Sequence, residues 1–392
     1  MLSKKKILYI VNNFPPAIDG VGDYTFRLIE SSYHLSPENK YHVITKAQIS
    51  SKVKDELKNV KFYKVDHWNI KTYLKIADYI KKEKIDILHL QYVPYSFNYY
   101  GVPLLLAFFF VYLSLTNLAL KKIITFHEVR VKLTFKHKNT IIGLFQWFCS
   151  KIFYCTCNKI ITSNLLYANL ISPKKNKTSI IPVGNNLVNA QYIPEIYTQD
   201  SHSGSYTISC FGQGIKSYRL ILDSLSNVLK EKYPVNLKLL GNIKEIEYRK
   251  IKDYARQQGI SNHIFFSGKL KPEDIMNHLK QSDIFMAFED LDNFTYWQGV
   301  SFKSGTLAAA ICALLPIITN KGELTDNILT KQCFIKACNP NSKDIASKIK
   351  EALMESFEEK QRCKLSQKSF FEENISWNHI CNEHIKIYQE IF

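Results

Sequence analysis

The sequence predicts an α/β protein of two domains, each a parallel sheet with helices on both faces. Short β-branched or apolar runs alternate with longer helical stretches along almost the whole chain. The 392 residues are enough for two hydrophobic cores. A polar segment containing Ser, Gly and Pro, within YIPEIYTQDSHSGSY (192–206), separates two sets of strands. The expected organisation is a first domain over 1–191, a linker over 192–205, a second domain over 206–375 and a final helix over 376–392.

In the first set, strands are expected at KILYIV (6–11), YHVITK (41–46), VKFYKV (60–65), IDILHLQY (85–92), KIITFHE (122–128), KIITSN (159–164) and SIIPVG (179–184). In the second set they are YTISCFG (206–212), LKLLG (237–241), IFFSG (264–268), DIFMAF (283–288), PIITN (316–320) and CFIKA (333–337). One segment, VPLLLAFFFVYLSLTNLAL (102–120), has no charge over 19 residues and is long enough to span a bilayer. Its flanks read as strands of one parallel sheet, and a crossover helix returns the chain to the same end of that sheet. A buried or partly membrane-dipped helix is therefore expected, and Lys121 and Lys122 at its end suit an interfacial place.

Nearly half of the residues are apolar, so the chain is globular. None of its nine cysteines has zinc-site spacing, and free thiols of a reducing cytosol are expected. The short apolar run after the basic start MLSKKKILYIVNNFPP reads as a strand, so no signal peptide is expected. Net charge is +17, and residues 1–200 carry 27 Lys and Arg against 13 Asp and Glu. That imbalance points to an anionic partner: a membrane surface, phosphates or nucleic acid. A genome rich in lysine codons is the plainer explanation, and the asymmetry between the halves argues against it.

Several strand ends carry the chemistry. After the first strand, Gly20 and Gly22 sit in a turn before a helix, where backbone N–H groups and the helix dipole favour an anion. A tight turn with no ligand explains the same glycines. After YTISCFG, Gly212 and Gly214 turn the chain, and Lys216 and Arg219 follow near the next helix. Such cations would lie at the carboxyl ends of the strands, where open α/β sheets bind ligands, or would be solvated on a helix. His127 lies just past a strand's carboxyl end and reads as functional. His89, inside its strand, reads as a satisfied core residue. In GVSFKSGTLAAAICALLPIIT (299–319), a Gly/Ser/Lys start runs into small apolar residues, the pattern of a phosphate-binding loop and helix.

In their order, these stretches resemble family-4 glycosyltransferases of the GT-B fold. KILYIVNNFPPAIDGVGDYT, IDILHLQYVPYSF, ITFHE, IIPVGNN, CFGQGIKS, LKLLG, IFFSGKLKPEDIMNHLKQSDIFMAF and ISWNHICNEHIKIYQEIF carry the resemblance over nearly the whole chain. It implies two Rossmann-like domains facing across a cleft, the donor mainly on the second and the acceptor mainly on the first. It also implies a last helix that returns to the first domain near Trp377. The chain departs from the family at two places. The usual pair of glutamates separated by seven residues is replaced by Ser301 and Ala309, and Gln213 stands where the glycine turn usually carries an arginine. Lys303 appears instead at the helix start, as in a divergent subgroup, so positive charge has moved from one phosphate-facing loop to the other. Two cations and a helix dipole would still neutralise a diphosphate leaving group without a metal or other cofactor.

The function implied is transfer of a sugar, with retention, from a nucleoside diphosphate sugar to a hydroxyl acceptor. His127, Lys216 and Lys303 are the expected catalytic residues. Gly20, Gly22, Gly212, Ser301, Ser304, Gly305 and Thr306 are expected to bind donor, with Gly268, Lys269 and Leu270 beside the base. Glu289, Asp290 or Asp292 would stand in for the missing glutamates, or belong to a solvated loop. The acceptor expected is a lipid-linked or surface glycan at the inner, cytoplasmic face of an anionic membrane; no nucleic acid is expected. A GT-B sugar-nucleotide epimerase and a non-catalytic partner subunit are the alternatives.

Overall fold

The structure, a computed structural model, describes residues 4–133, 139–172, 177–196, 204–288 and 297–392; the side chains of Gln213 and Lys216 are not among those described. It divides into two compact units, residues 1–186 with 377–392, and residues 187–376.

The first unit is built on seven parallel strands: β1 (Lys6–Ile10), β2 (Lys40–Thr45), β3 (Val60–Lys64), β4 (Ile87–Tyr92), β5 (Lys121–Phe126), β6 (Lys159–Thr162) and β7 (Thr178–Ile180). Their order is β3-β2-β1-β4-β5-β6-β7, so the direction of winding reverses between β1 and β4. β1 and β4 are buried almost throughout, as strands of a sheet covered on both faces must be, and the polar His89 and Gln91 of β4 are buried with them. β7 is shorter than SIIPVG suggested. Pro182 has no N–H to donate, and the last ladder bond runs from the Ile181 amide to the Thr162 carbonyl.

The uncharged segment folds as the helix Leu104–Thr116 between β4 and β5, with Leu106, Phe109, Phe110 and Leu113 buried. No helix among the described residues is long and apolar enough to cross a membrane.

The last helix, Trp377–Glu390, belongs to this unit and packs on the helix Gly20–Leu35. The Trp377 indole donates to the Asn185 carbonyl at 2.9 Å. A side chain at Gly184 would approach that indole to 2.9 Å, which explains the glycine of IIPVGNN. Further along, the Tyr388 hydroxyl lies 2.9 Å from that of Tyr9 and 2.7 Å from His89 Nδ1. His89 is thus a satisfied core residue, as its place inside a strand suggested.

Burial holds His89 neutral well below the usual histidine range and lowers His42 and His384 to about 4. Their folded values lie below the unfolded value near 6.5, so the unfolded chain binds more protons between about pH 4 and 6.5. Stability should therefore be full above pH 6.5 and fall as pH drops toward 4, by about 1–3 kcal/mol each for His42 and His384, with His89 acting in the same direction. Thermal melts at stepped pH check this. A first transition that moves down on acidification is expected, and His89→Gln should reduce its slope.

The second unit has six parallel strands: β8 (Tyr206–Phe211), β9 (Val235–Leu240), β10 (Ile264–Phe266), β11 (Ile284–Ala287), β12 (Ile317–Asn320) and β13 (Ile335–Cys338). Their order β10-β9-β8-β11-β12-β13 is the doubly wound arrangement, and its reversal lies between β8 and β11. The unit begins at Leu187, earlier than the sequence suggested, because Leu187, Val188 and Tyr192 pack against its core. The helix Gly305–Cys312 is buried along Leu307–Cys312, where the small residues Ala308, Ala309 and Ala310 let it lie close to β11 and β12. Both sheets are thus Rossmann-like.

Candidate functional site

In the first unit the reversal point is bordered by the loop after β1 and the ends of β4 and β5. The helix Gly20–Leu35 starts there, capped by Asp19, whose carboxylate accepts from the amides of Val21 at 3.0 Å and Gly22 at 2.8 Å. The protein's own carboxylate thus caps the helix start at which the sequence suggested a diphosphate. Glycine at 22 has a packing reason: a Cβ would lie 2.7 Å from the Asn13 carbonyl oxygen. Gly20 faces open space, and its carbonyl accepts from Asn186 Nδ2 at 3.1 Å. One turn on, burial, with repulsion from Asp19, raises the Asp23 carboxyl to about 6. Such a group at a strand-end crevice is a candidate proton carrier that sequence reasoning missed.

His127 directly follows β5, and its amide donates to the Tyr92 carbonyl at 3.0 Å. Its Nε2 donates to Gln91 Oε1 at 2.8 Å, and the Tyr24 ring and the imidazole pack in a T-shaped pair with centroids 5.0 Å apart. Gln91 is 1% exposed; its Nε2 lies 3.3 Å from His89 Nε2, which Thr125 Oγ1 also approaches to 2.8 Å. A polar chain thus runs from His127 through Gln91 and His89 to Tyr388 of the last helix. It fixes the imidazole on one side by hydrogen bonds and on another by an aromatic wall.

In the second unit, β8 is followed directly by Gly212, which has φ +69° and opens a 3-10 turn, Gly212–Ser217, that contains Lys216. A side chain at Gly212 would meet Thr306 Cγ2 at 2.8 Å, so the glycine turn and the 299–306 loop abut. Arg219, further along, lies over the Tyr254 ring at 5.7 Å.

Ser304 caps the helix Gly305–Cys312, accepting from the Leu307 amide at 3.2 Å, and its hydroxyl is 2.9 Å from Thr306 Oγ1. Lys303 therefore precedes the helix cap and is not in the helix itself. It is half-buried, and its amide donates to Ser301 Oγ at 3.3 Å. Ser301 is buried, and its carbonyl accepts from the Ser304 amide, so it shapes the turn that presents Lys303 and Ser304. Nothing lies within 4 Å of a Cβ built on Gly305, which leaves open space at the helix start.

This loop is held from behind. Gly299, at φ +110°, would clash with Gly322 at 2.5 Å if it bore a side chain, and the Phe302 amide donates to Asp326 at 2.9 Å. Asn320, at the end of β12, accepts from the Val300 amide through its backbone, while its buried Oδ1 has no hydrogen-bond partner among the described residues. No sequence signal marked Asn320. After β10, Gly268 has φ +70° and bridges Gly241; Lys269 is exposed and Leu270 packs against the core. Glu289, Asp290 and Asp292 lie outside the described residues. Among the described residues, no group of three His, Cys, Asp or Glu could hold a metal ion.

Residues 213–369, which include Lys216 and the 299–306 loop, match the family model of the glycosyl transferases group 1. The whole chain superposes on a glycosyltransferase from Rickettsia africae with a TM-score of 0.69, at 16% identity over 100% of this chain and 99% of that one. The chain has the GT-B glycosyltransferase fold.

The same GT-B fold aligns with Anabaena HepE, solved in complex with UDP-glucose, at TM-score 0.67 and 12% identity over 98% and 99% of the two chains. It aligns also with a candidate UDP-N-acetylglucosamine 2-epimerase from Listeria monocytogenes, at TM-score 0.62 and 9% identity over 99% and 96%. No curated relative matches the chain in sequence. GT-B architecture thus accommodates more than one nucleotide-sugar chemistry.

Proposed function

We propose that the protein transfers a sugar, with retention, from a nucleoside diphosphate sugar to a hydroxyl of a lipid-linked or surface glycan, at the inner face of a membrane. The observation that carries the reading is the contact of Gly212 with Thr306. It joins the glycine turn bearing Lys216 to a capped helix start preceded by Lys303, and both lysines lie in the segment that matches the glycosyl transferases group 1. In this reading the amides of Gly305 and Thr306, the Ser304 and Thr306 hydroxyls and the two lysines hold the diphosphate. Ser301 sets the turn, Gly268–Leu270 border the base, and His127 orients the sugar. The lysines and the helix dipole would neutralise the leaving group without a metal.

A thermal-shift screen of nucleoside diphosphates and their sugars tests the donor half. A specific nucleoside diphosphate should raise the melting temperature at concentrations well above its Kd. No response to any of them would favour a non-catalytic subunit. Conversion of a free nucleotide-sugar with no acceptor present would favour an epimerase.

A further inference from the structure

The helices Leu104–Thr116 and Asn139–Thr156 pack side by side on one face of the first sheet. Both are apolar on their outward side as well as on their buried one. Phe108 is 54% exposed, Leu115 77% and Ile141 64%, and Leu144, Phe145 and Trp147 are each more than two-fifths exposed. The spacing 108–115 along one helix and 141–144–145 along the other places these residues in two adjacent stripes. Soluble surfaces rarely carry a contiguous apolar face of this kind without a partner.

The charge around the face says which partner. From Ile87 to Pro194 the chain has 11 Lys and Arg and a single acid, Glu128. Seven of these cations, with Glu128, fall within 104–156, the stretch that builds the two helices. Lys151 approaches the ring of the exposed Trp147 at 5.7 Å, and Lys177 approaches that of the half-buried Tyr154 at 5.1 Å, so cations lie along the second helix. An apolar face with a cationic rim matches an anionic lipid surface, where acyl chains take the apolar side chains and headgroups take the lysines. A second copy of the chain on the same face would bring one cationic rim against another.

We infer that the outward face of these two helices is the surface by which the protein docks on an anionic bilayer, inserting shallowly without crossing it. Both helices start at the carboxyl edge of the sheet, the edge that carries His127. Docking there brings this edge to the membrane from which a lipid-linked acceptor would be taken. The inference rests on the peripheral-membrane element of the proposed function, but it is read without donor or acceptor, so its failure would leave the transfer chemistry standing.

Co-sedimentation of the full chain with vesicles of phosphatidylcholine, alone or mixed with phosphatidylglycerol, tests it. Binding should require the anionic lipid and weaken as salt rises. The doubly substituted Leu115→Glu, Ile141→Glu protein, altered only at exposed positions and checked by its melting temperature, should bind about 10-fold more weakly or worse. Brominated lipid should quench tryptophan fluorescence in the wild type and much less in Trp147→Phe. Wild-type binding by the double variant, or equal binding to neutral and anionic vesicles, would overturn the inference. So would a dimer in solution that the same two substitutions dissolve, since a second copy would then cover the face.

Discussion

Replacing Lys303 with alanine should lower kcat about 100-fold or more while changing donor KM much less. Negative charge on the diphosphate grows as the bond to the sugar breaks, so a cation beside it is worth more in the transition state than in the ground state. Two features make Lys303 the residue to test. It immediately precedes the Ser304 cap of the helix Gly305–Cys312, where the helix dipole already supplies positive potential. The turn that carries it is fixed by Ser301, by Asp326 and by close packing of Gly299 on Gly322. Lys303→Arg should retain much of the activity, because the cation remains although its geometry changes. Steady-state kinetics with melting temperatures measured in parallel separate loss of chemistry from loss of fold. Unchanged kcat and KM in Lys303→Ala would mean that the backbone and hydroxyls hold the ligand without the lysine.

His127→Ala should cost on the order of 100-fold in kcat, and Gln91→Leu on the order of 10-fold. The two residues differ in kind. His127 stands at the strand end where the reacting sugar would lie, whereas Gln91 is buried and acts through its 2.8 Å hydrogen bond to His127 Nε2. Leucine at 91 keeps the volume and removes the acceptor, so the imidazole loses its orientation but not its place. If Gln91 acts only by positioning His127, the doubly substituted protein should be no slower than His127→Ala alone. Fully multiplicative losses would give Gln91 a role of its own.

Much of this could be read in the sequence, and the reason is local. A parallel strand buried on both faces is a short apolar run between helical stretches, so all thirteen strands were visible, with ends off by a few residues where prolines or caps decide. Gly212 and the 299–306 loop were visible because positive φ and close approach demand glycine and small polar residues. What escaped depends on partners distant in the chain. Asp19 could not be recognised as the occupant of its own helix start from the glycines beside it. The chain His127–Gln91–His89–Tyr388 joins residues nearly 300 positions apart at its longest link. The place of Lys303 outside the helix turns on one hydrogen bond, from the Leu307 amide to Ser304 Oγ. The domain boundary fell early because Leu187 and Val188 are apolar enough to join the second core, which a composition-based linker does not reveal.

The most direct test of the account is proton NMR of the purified chain incubated with the nucleotide-sugar that stabilises it and with a membrane lipid extract. The account predicts release of nucleoside diphosphate in step with a new glycosidic anomeric signal of the donor's own configuration, and neither in the absence of the extract. Donor converted without acceptor, a product of inverted configuration, or no consumption of donor at all would contradict it.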